Sequence, residues 1–291
     1  MVIRRETRLG LIGYPLGHSL SPVMHRAALQ TLGMAGDYRL YPVPPGSEGR
    51  AALQELFLQV RLGVLHGLNV TIPHKQAVIP WLDELTPVSQ AIEAVNTIYL
   101  QERRLVGDNT DAPGFLAGLR KLVPSGKPDH GKRALVLGAG GSARAIVYAL
   151  VQDGWTVYIA ARRLEQARQL ASSPAARSAT ALSLTASSIG GCPAPDLIVN
   201  ATPVGMTPHL EESPWPAGLP FPARAALYDL VYNPPETALV RAARAAGLPA
   251  SNGLGMLVEQ AALAFQIWTG RLPPRQAMLQ AAIEQTTEEG R

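Results

Sequence analysis

Along most of the chain, short apolar runs alternate with stretches in which apolar residues recur every three or four positions. Runs of the first kind predict strands, and the second spacing predicts helices. Strands are expected at residues 9–13, 38–43, 67–70, 97–100 and 105–107, and helices at 22–32, 48–62 and 112–122. The polar stretch 101–104 reads as a hairpin tip. Residues 124–131, dense in Pro, Gly and charge, read as a linker. A second alternation follows, with strands at 133–137, 156–160, 196–200 and 226–230 and helices at 142–152, 164–170 and 236–246. The last of these helices ends at Gly247, which suits the left-handed position after a helix. Leu254, Leu257, Val258, Ala261, Ala262, Phe265 and Trp268 then form an apolar helical stripe, but spacing does not say what it packs against. The alternation is that of an α/β protein, and it contains no internal repeat.

Composition narrows the picture. With 291 residues, 47% hydrophobic and 16% charged, the chain is long enough for two core-forming domains and is not a disordered composition. Residues 1–8 are charged, and residues 9–16 are apolar but broken by Gly and Pro, so no leader peptide is expected. No apolar run reaches the roughly 18 residues of a membrane span. The one cysteine, Cys192, excludes an internal disulfide, which suits a reducing cytoplasm. The charge of +4 and the pI of about 9.4 raise nucleic acid as a partner. The basic residues are dispersed among acids, however, and no aromatics interleave with them. A small anionic substrate with a phosphorylated cofactor accounts for the excess equally well. No zinc-ligand spacing and no nucleophile elbow occur, so no metal is expected and the chemistry should come from a cofactor.

That cofactor has a motif. After the strand at 133–137 comes Gly138-Ala139-Gly140-Gly141-Ser142-Ala143, leading into a helix. This is the strand–turn–helix context of a dinucleotide fingerprint. Gly138 permits the tight turn, Gly140 lets backbone approach a pyrophosphate, and Ala143 allows close helix–strand packing. The helix N-terminus offers N–H groups and a positive dipole end to phosphate. The next strand ends at Ala160 and is followed by Ala161-Arg162-Arg163, where an NAD binder would carry an acid; none occurs before Glu165. Two guanidiniums suit a 2′-phosphate, hence NADP. An ordinary solvated helix start explains them poorly, because cations are disfavoured there.

Three polar clusters precede the linker. In His18-Ser19-Leu20-Ser21-Pro22, Ser21 reads as a helix N-cap before Pro22, and Ser19 is not needed for that cap. In Asn69-Val70-Thr71-Ile72-Pro73-His74-Lys75, Pro73 predicts a helix start with Lys75 in its first turn. The dipole there pushes an amine towards its neutral form, as an acid/base needs. A lysine reaching into solvent fits the spacing as well. In the third cluster, Asn96-Thr97 and Gly107-Asp108-Asn109-Thr110-Asp111, Asp111 reads either as an N-cap or as a carboxylate paired with a distant lysine. Asn69 and Asn96 also read as residues that satisfy backbone groups at strand ends.

Jointly these clusters, with Asn200-Ala201-Thr202-Pro203, Tyr232-Asn233-Pro234 and Gly253-Leu254-Gly255-Met256, resemble the shikimate dehydrogenase family in order along nearly the whole chain. The resemblance implies a substrate-binding and catalytic domain of residues 1–113 plus 250–291, completed by the C-terminal helices. It also implies a Rossmann-like doubly wound domain of residues 114–249 that binds NADP(H). Lys75 is then the catalytic acid/base and Asp111 its partner. Ser19 and Ser21 hold the substrate carboxylate, and Asn69, Thr71, Asn96, Tyr232 and Gln260 make further substrate contacts. Gly138, Ala139, Gly140, Gly141, Ser142, Ala161, Arg162, Arg163 and Thr202 hold the cofactor, with Leu230 and Gly253 near its nicotinamide. The implied reaction is the reversible NADPH-dependent reduction of 3-dehydroshikimate to shikimate, in a cytoplasmic monomer or homodimer without nucleic-acid or membrane partners. Quinate or aminoshikimate dehydrogenation and a catalytically idle NADP binder are the alternatives. Arg26, Ala161 and Asn252 depart from the family pattern, which usually has Asn, Asn and Asp there.

Overall fold

The computed structural model describes residues 6–123 and 132–289, so the expected linker at 124–131 lies outside the described residues. In chain order the elements are β1 (Thr7–Gly13), α1 (Ser21–Thr31), β2 (Gly36–Pro42), α2 (Arg50–Arg61), β3 (Gly67–Val70), β4 (Glu84–Leu85), α3 (Pro87–Ile92), β5 (Thr97–Gln101), β6 (Arg104–Asp108) and α4 (Asp111–Leu122). Then come β7 (Arg133–Leu137), α5 (Gly141–Gln152), β8 (Thr156–Ala161), α6 (Leu164–Ala171), β9 (Thr180–Ser183), α7 (Ala186–Gly190), β10 (Leu197–Asn200), β11 (Ala226–Asp229), α8 (Ala238–Ala245), β12 (Ala250–Ser251), α9 (Leu254–Thr269) and α10 (Arg275–Glu289). They form two compact units: residues 1–110 with 258–291, and residues 111–257.

The first unit carries a six-stranded sheet in the order β2-β1-β3-β5-β6-β4. Strands β1, β2 and β3 run parallel, and β5 lies antiparallel to β3 with Asn69 opposite Thr97. The hairpin tip between β5 and β6 is Glu102-Arg103, both at positive φ (48° and 68°), the twist a two-residue hairpin turn requires. Helix α2 buries Leu53, Leu56, Phe57 and Val60 against sheet residues such as Leu68, Ile98 and Leu105. The partner of the terminal apolar helix is now visible. From Val258 onward α9 belongs to this unit, and Trp268 covers Gly67, where an added Cβ would stand 2.2 Å from the indole. The Trp268 Nε1–H donates to the Ile98 carbonyl at 3.1 Å. Helix α10, which packs on α1, was expected only through the family resemblance and not from periodicity, because its buried positions are carried by small or isolated residues such as Met278 and Ala282 among polar ones. The short β4, α3, β9, α7 and β12 also give no periodic signal.

The second unit carries a parallel six-stranded sheet, β9-β8-β7-β10-β11-β12. Numbered within the unit this is 3-2-1-4-5-6, the doubly wound order whose direction of winding switches between β7 and β10. Strand β7 is apolar throughout Ala134–Leu137 and buried on both faces, as a central parallel strand must be. Thr237 caps α8 by accepting from the Val240 N–H, and Gly247 follows that helix at φ 81°, as its position predicted.

Candidate active site

In the first unit the C-terminal end of β3 and the start of β5 hold an interlocked polar cluster. Asn69 (5% exposed) donates from Nδ2 to the Asn96 carbonyl at 3.1 Å and to Thr97 Oγ1 at 3.3 Å. Its Oδ1 accepts from the Tyr38 hydroxyl at 2.8 Å. Because a backbone carbonyl can only accept, the Asn69 amide has one orientation. Asn96 Oδ1 accepts from the Thr110 N–H at 2.8 Å and from Thr97 Oγ1 at 2.9 Å. Its Nδ2 donates to Thr110 Oγ1 at 2.9 Å and to Gln260 Oε1 on α9 at 3.3 Å. Both asparagines therefore do satisfy backbone groups at strand ends, and the same bonds tie Gln260 into the group. Tyr38 lies parallel to His25, with ring centroids 4.2 Å apart. Burial holds the His25 pKa down to about 3, opposed by the nearby Asn69 side chain, so the imidazole is neutral. Tyr38 was not among the expected site residues, since a tyrosine in a strand carries no signal of its own; Thr97 and Thr110 stand inside the third polar cluster but had no role assigned.

Lys75 corrects an expectation. No helix starts at Pro73; residues 75–78 form turns, followed by a single 3-10 turn at Ile79–Trp81. The cause is local. The Lys75 carbonyl accepts from the Val95 N–H at 2.7 Å, which removes it from any helical ladder. The His74 ring Nε2, which must carry the proton, donates to the Val43 carbonyl at 2.7 Å. The helix-dipole argument for Lys75 therefore falls, and so does the reading of a solvent-reaching lysine, because the residue is 8% exposed. Thr71 sits just past β3, its N–H on the Ile12 carbonyl at 2.8 Å. Ser21 is the first residue of α1 and caps nothing with its side chain; instead Ser19 Oγ accepts from the Ser21 N–H at 3.3 Å. Arg26 has its own role, bonding Asp37 and the Tyr38 carbonyl and so tying α1 to β2.

In the second unit Asp111, buried, is the first residue of α4. The two glycines of the turn after β7 differ. Gly138 has φ 109° and an added Cβ would stand 3.0 Å from the Ala201 carbonyl, so the fold itself needs glycine there. At Gly140 an added Cβ would meet no protein atom within 4 Å. The Gly140 backbone thus faces open space at the N-terminus of the twelve-residue α5, which no side chain caps. Ala139, Gly141 and Ser142 are partly exposed beside it, and Thr202 borders Gly138, its Cγ2 3.1 Å from the same added Cβ. These features fit a dinucleotide pyrophosphate. Ala161 ends β8, and Arg162 and Arg163 follow, exposed and without an ion pair among the described residues. Glu165 turns to Arg168 at 3.8 Å.

Further along, Leu230 follows β11, Tyr232 is half-buried in the next turn, and Gly253 precedes α9. An added Cβ on Gly253 would stand 2.1 Å from the Leu230 carbonyl, so the two backbones touch. Asn252 accepts from the Leu254 N–H at 3.1 Å and donates to the Pro235 carbonyl at 2.8 Å; an aspartate would make only the first bond. Among the described residues no helix is long and apolar enough to cross a membrane, and no three His, Cys, Asp or Glu side chains cluster as metal ligands.

Comparison with known proteins bears on both units. The chain matches the family description "Shikimate dehydrogenase substrate binding domain" over residues 11–98 and "Shikimate 5'-dehydrogenase C-terminal domain" over residues 253–283. It is 41% identical over 274 residues to the shikimate dehydrogenase (NADP(+)) of Shouchella clausii, covering 93% of this chain and 96% of that one. The shikimate 5-dehydrogenase of Thermus thermophilus, solved in complex with NADP(H) and shikimate, is similar with a TM-score of 0.80 at 41% identity, over 96% of this chain and 99% of that one. The quinate dehydrogenase of Corynebacterium glutamicum, solved with NAD, gives a TM-score of 0.85 at 33% identity, over 96% and 99%.

Proposed function

The chain belongs to the shikimate dehydrogenase family, and on that premise we propose how its own residues perform the NADPH-dependent reduction of 3-dehydroshikimate to shikimate. The cofactor, when bound, supplies the hydride that reaches the C3 carbonyl carbon. Lys75 donates the proton that the carbonyl oxygen takes up, and recovers it from the hydroxyl in the reverse direction. Asp111 orients that ammonium group and accepts from a neighbouring substrate hydroxyl. Ser19 and Ser21 hold the carboxylate. Asn69, Thr71, Asn96, Tyr232 and Gln260 fix the ring. The Gly138–Ala143 turn takes the pyrophosphate, Arg162 and Arg163 the 2′-phosphate, and Ala161 and Thr202 flank the nucleotide, while Leu230 and Gly253 bound the nicotinamide. In this reading residues 1–113 with 250–291 bind substrate and residues 114–249 bind NADP(H), in a cytoplasmic enzyme that acts as a monomer or homodimer.

What carries the reading is the open backbone at Gly140. It lies where a doubly wound sheet switches direction, in a chain whose other unit buries an amide-rich cluster next to the clamped turn of Lys75. The likeness to a quinate dehydrogenase keeps quinate as a second substrate. A turnover assay crossing shikimate and quinate with NADP and NAD decides between them. We expect shikimate with NADP to give the highest kcat/KM, because a site that bonds specific hydroxyls discriminates strongly among analogues. Absence of turnover with every pair would leave an aminoshikimate dehydrogenase or the idle NADP binder.

A further inference from the structure

Asp229 is a fully buried carboxyl with no part in the chemistry above. Its Oδ1 accepts from Asn200 Nδ2 at 2.8 Å and from the Val231 N–H at 3.0 Å, and its Oδ2 accepts from the Thr237 hydroxyl at 2.7 Å. Asn200, opposite it on β10 and also fully buried, passes the link on. The Asn200 Oδ1 accepts from both the N–H and the hydroxyl of Thr202, at 2.9 and 2.7 Å. Its backbone carbonyl accepts from the Leu230 N–H at 2.9 Å. On the other side the Val231 carbonyl accepts from the Gly253 N–H at 3.0 Å. The amide thus bonds Thr202 directly and the carboxyl bonds the Leu230–Val231 segment through the Val231 N–H, while backbone bonds from Asn200 and Val231 carry the link to Leu230 and Gly253, all at the C-terminal ends of parallel strands.

We infer that Asp229 and Asn200 are a positioning pair for the cofactor, setting the backbone on which the nicotinamide end rests. The inference depends on the proposed function insofar as Thr202, Leu230 and Gly253 border the cofactor. Neither residue touches the reacting atoms; both act through the loops they hold. A buried network of this kind is rigid only when every member is satisfied, and here each atom of the pair is. Among the described residues no countercharge faces Asp229. The groups that face Asp229 from β10, from the turn after β11 and from the cap of α8 are an amide, an N–H and a hydroxyl. The charged side chains of α8, Arg241 and Arg244, turn outward to Glu211 and Glu236. Burial accordingly raises the Asp229 pKa to about 6, so acid alters the network. Once protonated, Oδ2 must donate where it accepted, and the Thr237 hydroxyl must reverse.

The test is calorimetric binding of NADP+ and, separately, of shikimate to the full-length protein. Asp229→Ala should weaken NADP+ at least tenfold and shikimate, which meets the held segment only through Tyr232, no more than threefold. Asp229→Asn, which keeps the shape and the Oδ1 contacts, should recover NADP+ binding to within about threefold of wild type. Asn200→Ser, which loses the bond to Asp229 and retains at best a weaker local bond to Thr202, should weaken NADP+ at least fivefold, and it carries the test if Asp229→Ala fails to fold. A pH series from 5 to 8 adds a second readout. The ratio of wild-type to Asp229→Asn affinity should change across about pH 6 and level off above it. The ratio is used because the 2′-phosphate titrates near the same pH in both proteins. Folded Asp229→Ala or Asn200→Ser protein that binds NADP+ within twofold of wild type, or loses NADP+ and shikimate equally, would overturn the inference. A wild-type protein that fails to bind NADP+ would instead sink the proposed function.

Discussion

In the first unit, Asn69, Asn96, Thr97, Thr110 and Gln260 are buried and bonded to one another and to nearby backbone. In the second, the turn from Gly138 to Gly141 is partly exposed backbone, and Arg162 and Arg163 stand in solvent. The first arrangement is a lattice of side chains in which each amide's orientation depends on its neighbours. The second is made by chain direction, small residues and a helix end, and its charges are free to move. A buried polar lattice discriminates among substrates because a lost partner leaves a desolvated group behind. An open turn with mobile cations binds phosphate strongly while demanding little of its surroundings. Changes in the first unit should therefore be costly and specific, and changes in the second graded and separable.

The sharpest break is expected at Lys75. Lys75→Ala should lower kcat by about 10²–10⁴-fold, the range of general acid–base assistance, with the shikimate KM little changed. Steady-state kinetics with both substrates checks it, and a near-normal kcat removes Lys75 from the chemistry.

Asp229 tests the contrast from the other side, since it is a buried polar group inside the open unit. Its pKa is raised from 3.8 to about 6, so the native state binds the proton more tightly than the unfolded chain does. The resulting stability is fully present below about pH 4 and is lost as pH rises through about 6. At roughly 1.4 kcal/mol for each tenfold change in proton affinity, the window spans about 3 kcal/mol. Asp229→Asn does not titrate, so its stability relative to wild type should rise by about that amount between pH 4 and pH 7 in denaturant unfolding. A difference that stays constant with pH would mean that the carboxyl is not destabilised by burial.

The same contrast explains what the sequence discloses. The glycine turn was legible because its physics is local. Gly138 and Gly140 follow directly on β7, and the strand, turn and helix that give them meaning are contiguous. The α/β class followed from regular alternation, the doubly wound order from the family likeness, and the Arg162-Arg163 pair from its distance to the turn. The lattice was not legible in that way. Asn69 and Gln260 lie near opposite ends of the chain, yet both bond Asn96, and no spacing rule connects them. They entered through family likeness alone, and Tyr38 and Asp229 did not enter at all. Lys75 shows a subtler failure. Pro73 is a fair helix-start signal, but Val95, from outside the segment, takes the carbonyl that a helix would need.

The arginines should yield a smaller and cleaner effect. Hydrogen bonds to charged groups contribute about 1.5–3 kcal/mol, so Arg162→Ala with Arg163→Ala should raise the NADP KM by about 10–100-fold. The NAD KM and the shikimate KM should move little, because these two exposed side chains make no ion pair among the described residues. An equal rise for NAD and NADP would remove the 2′-phosphate from the assignment.

The gentlest perturbation reaches the lattice without entering the site. Tyr38→Phe removes one hydroxyl and leaves the ring stacked on His25. Asn69 then loses the bond to its Oδ1, but its Nδ2 still faces the Asn96 carbonyl, so the amide keeps its orientation while gaining freedom to rock. A buried acceptor deprived of its partner costs about 1–3 kcal/mol, and relaxation of the neighbours should keep this case near the lower end. We expect a fall in stability of about 1 kcal/mol and a rise of a few-fold in the shikimate KM, with the NADP KM unchanged. If the NADP KM shifted in parallel, the lattice would not be a separate device of the first unit, and the contrast between the two units would fail at its weakest link.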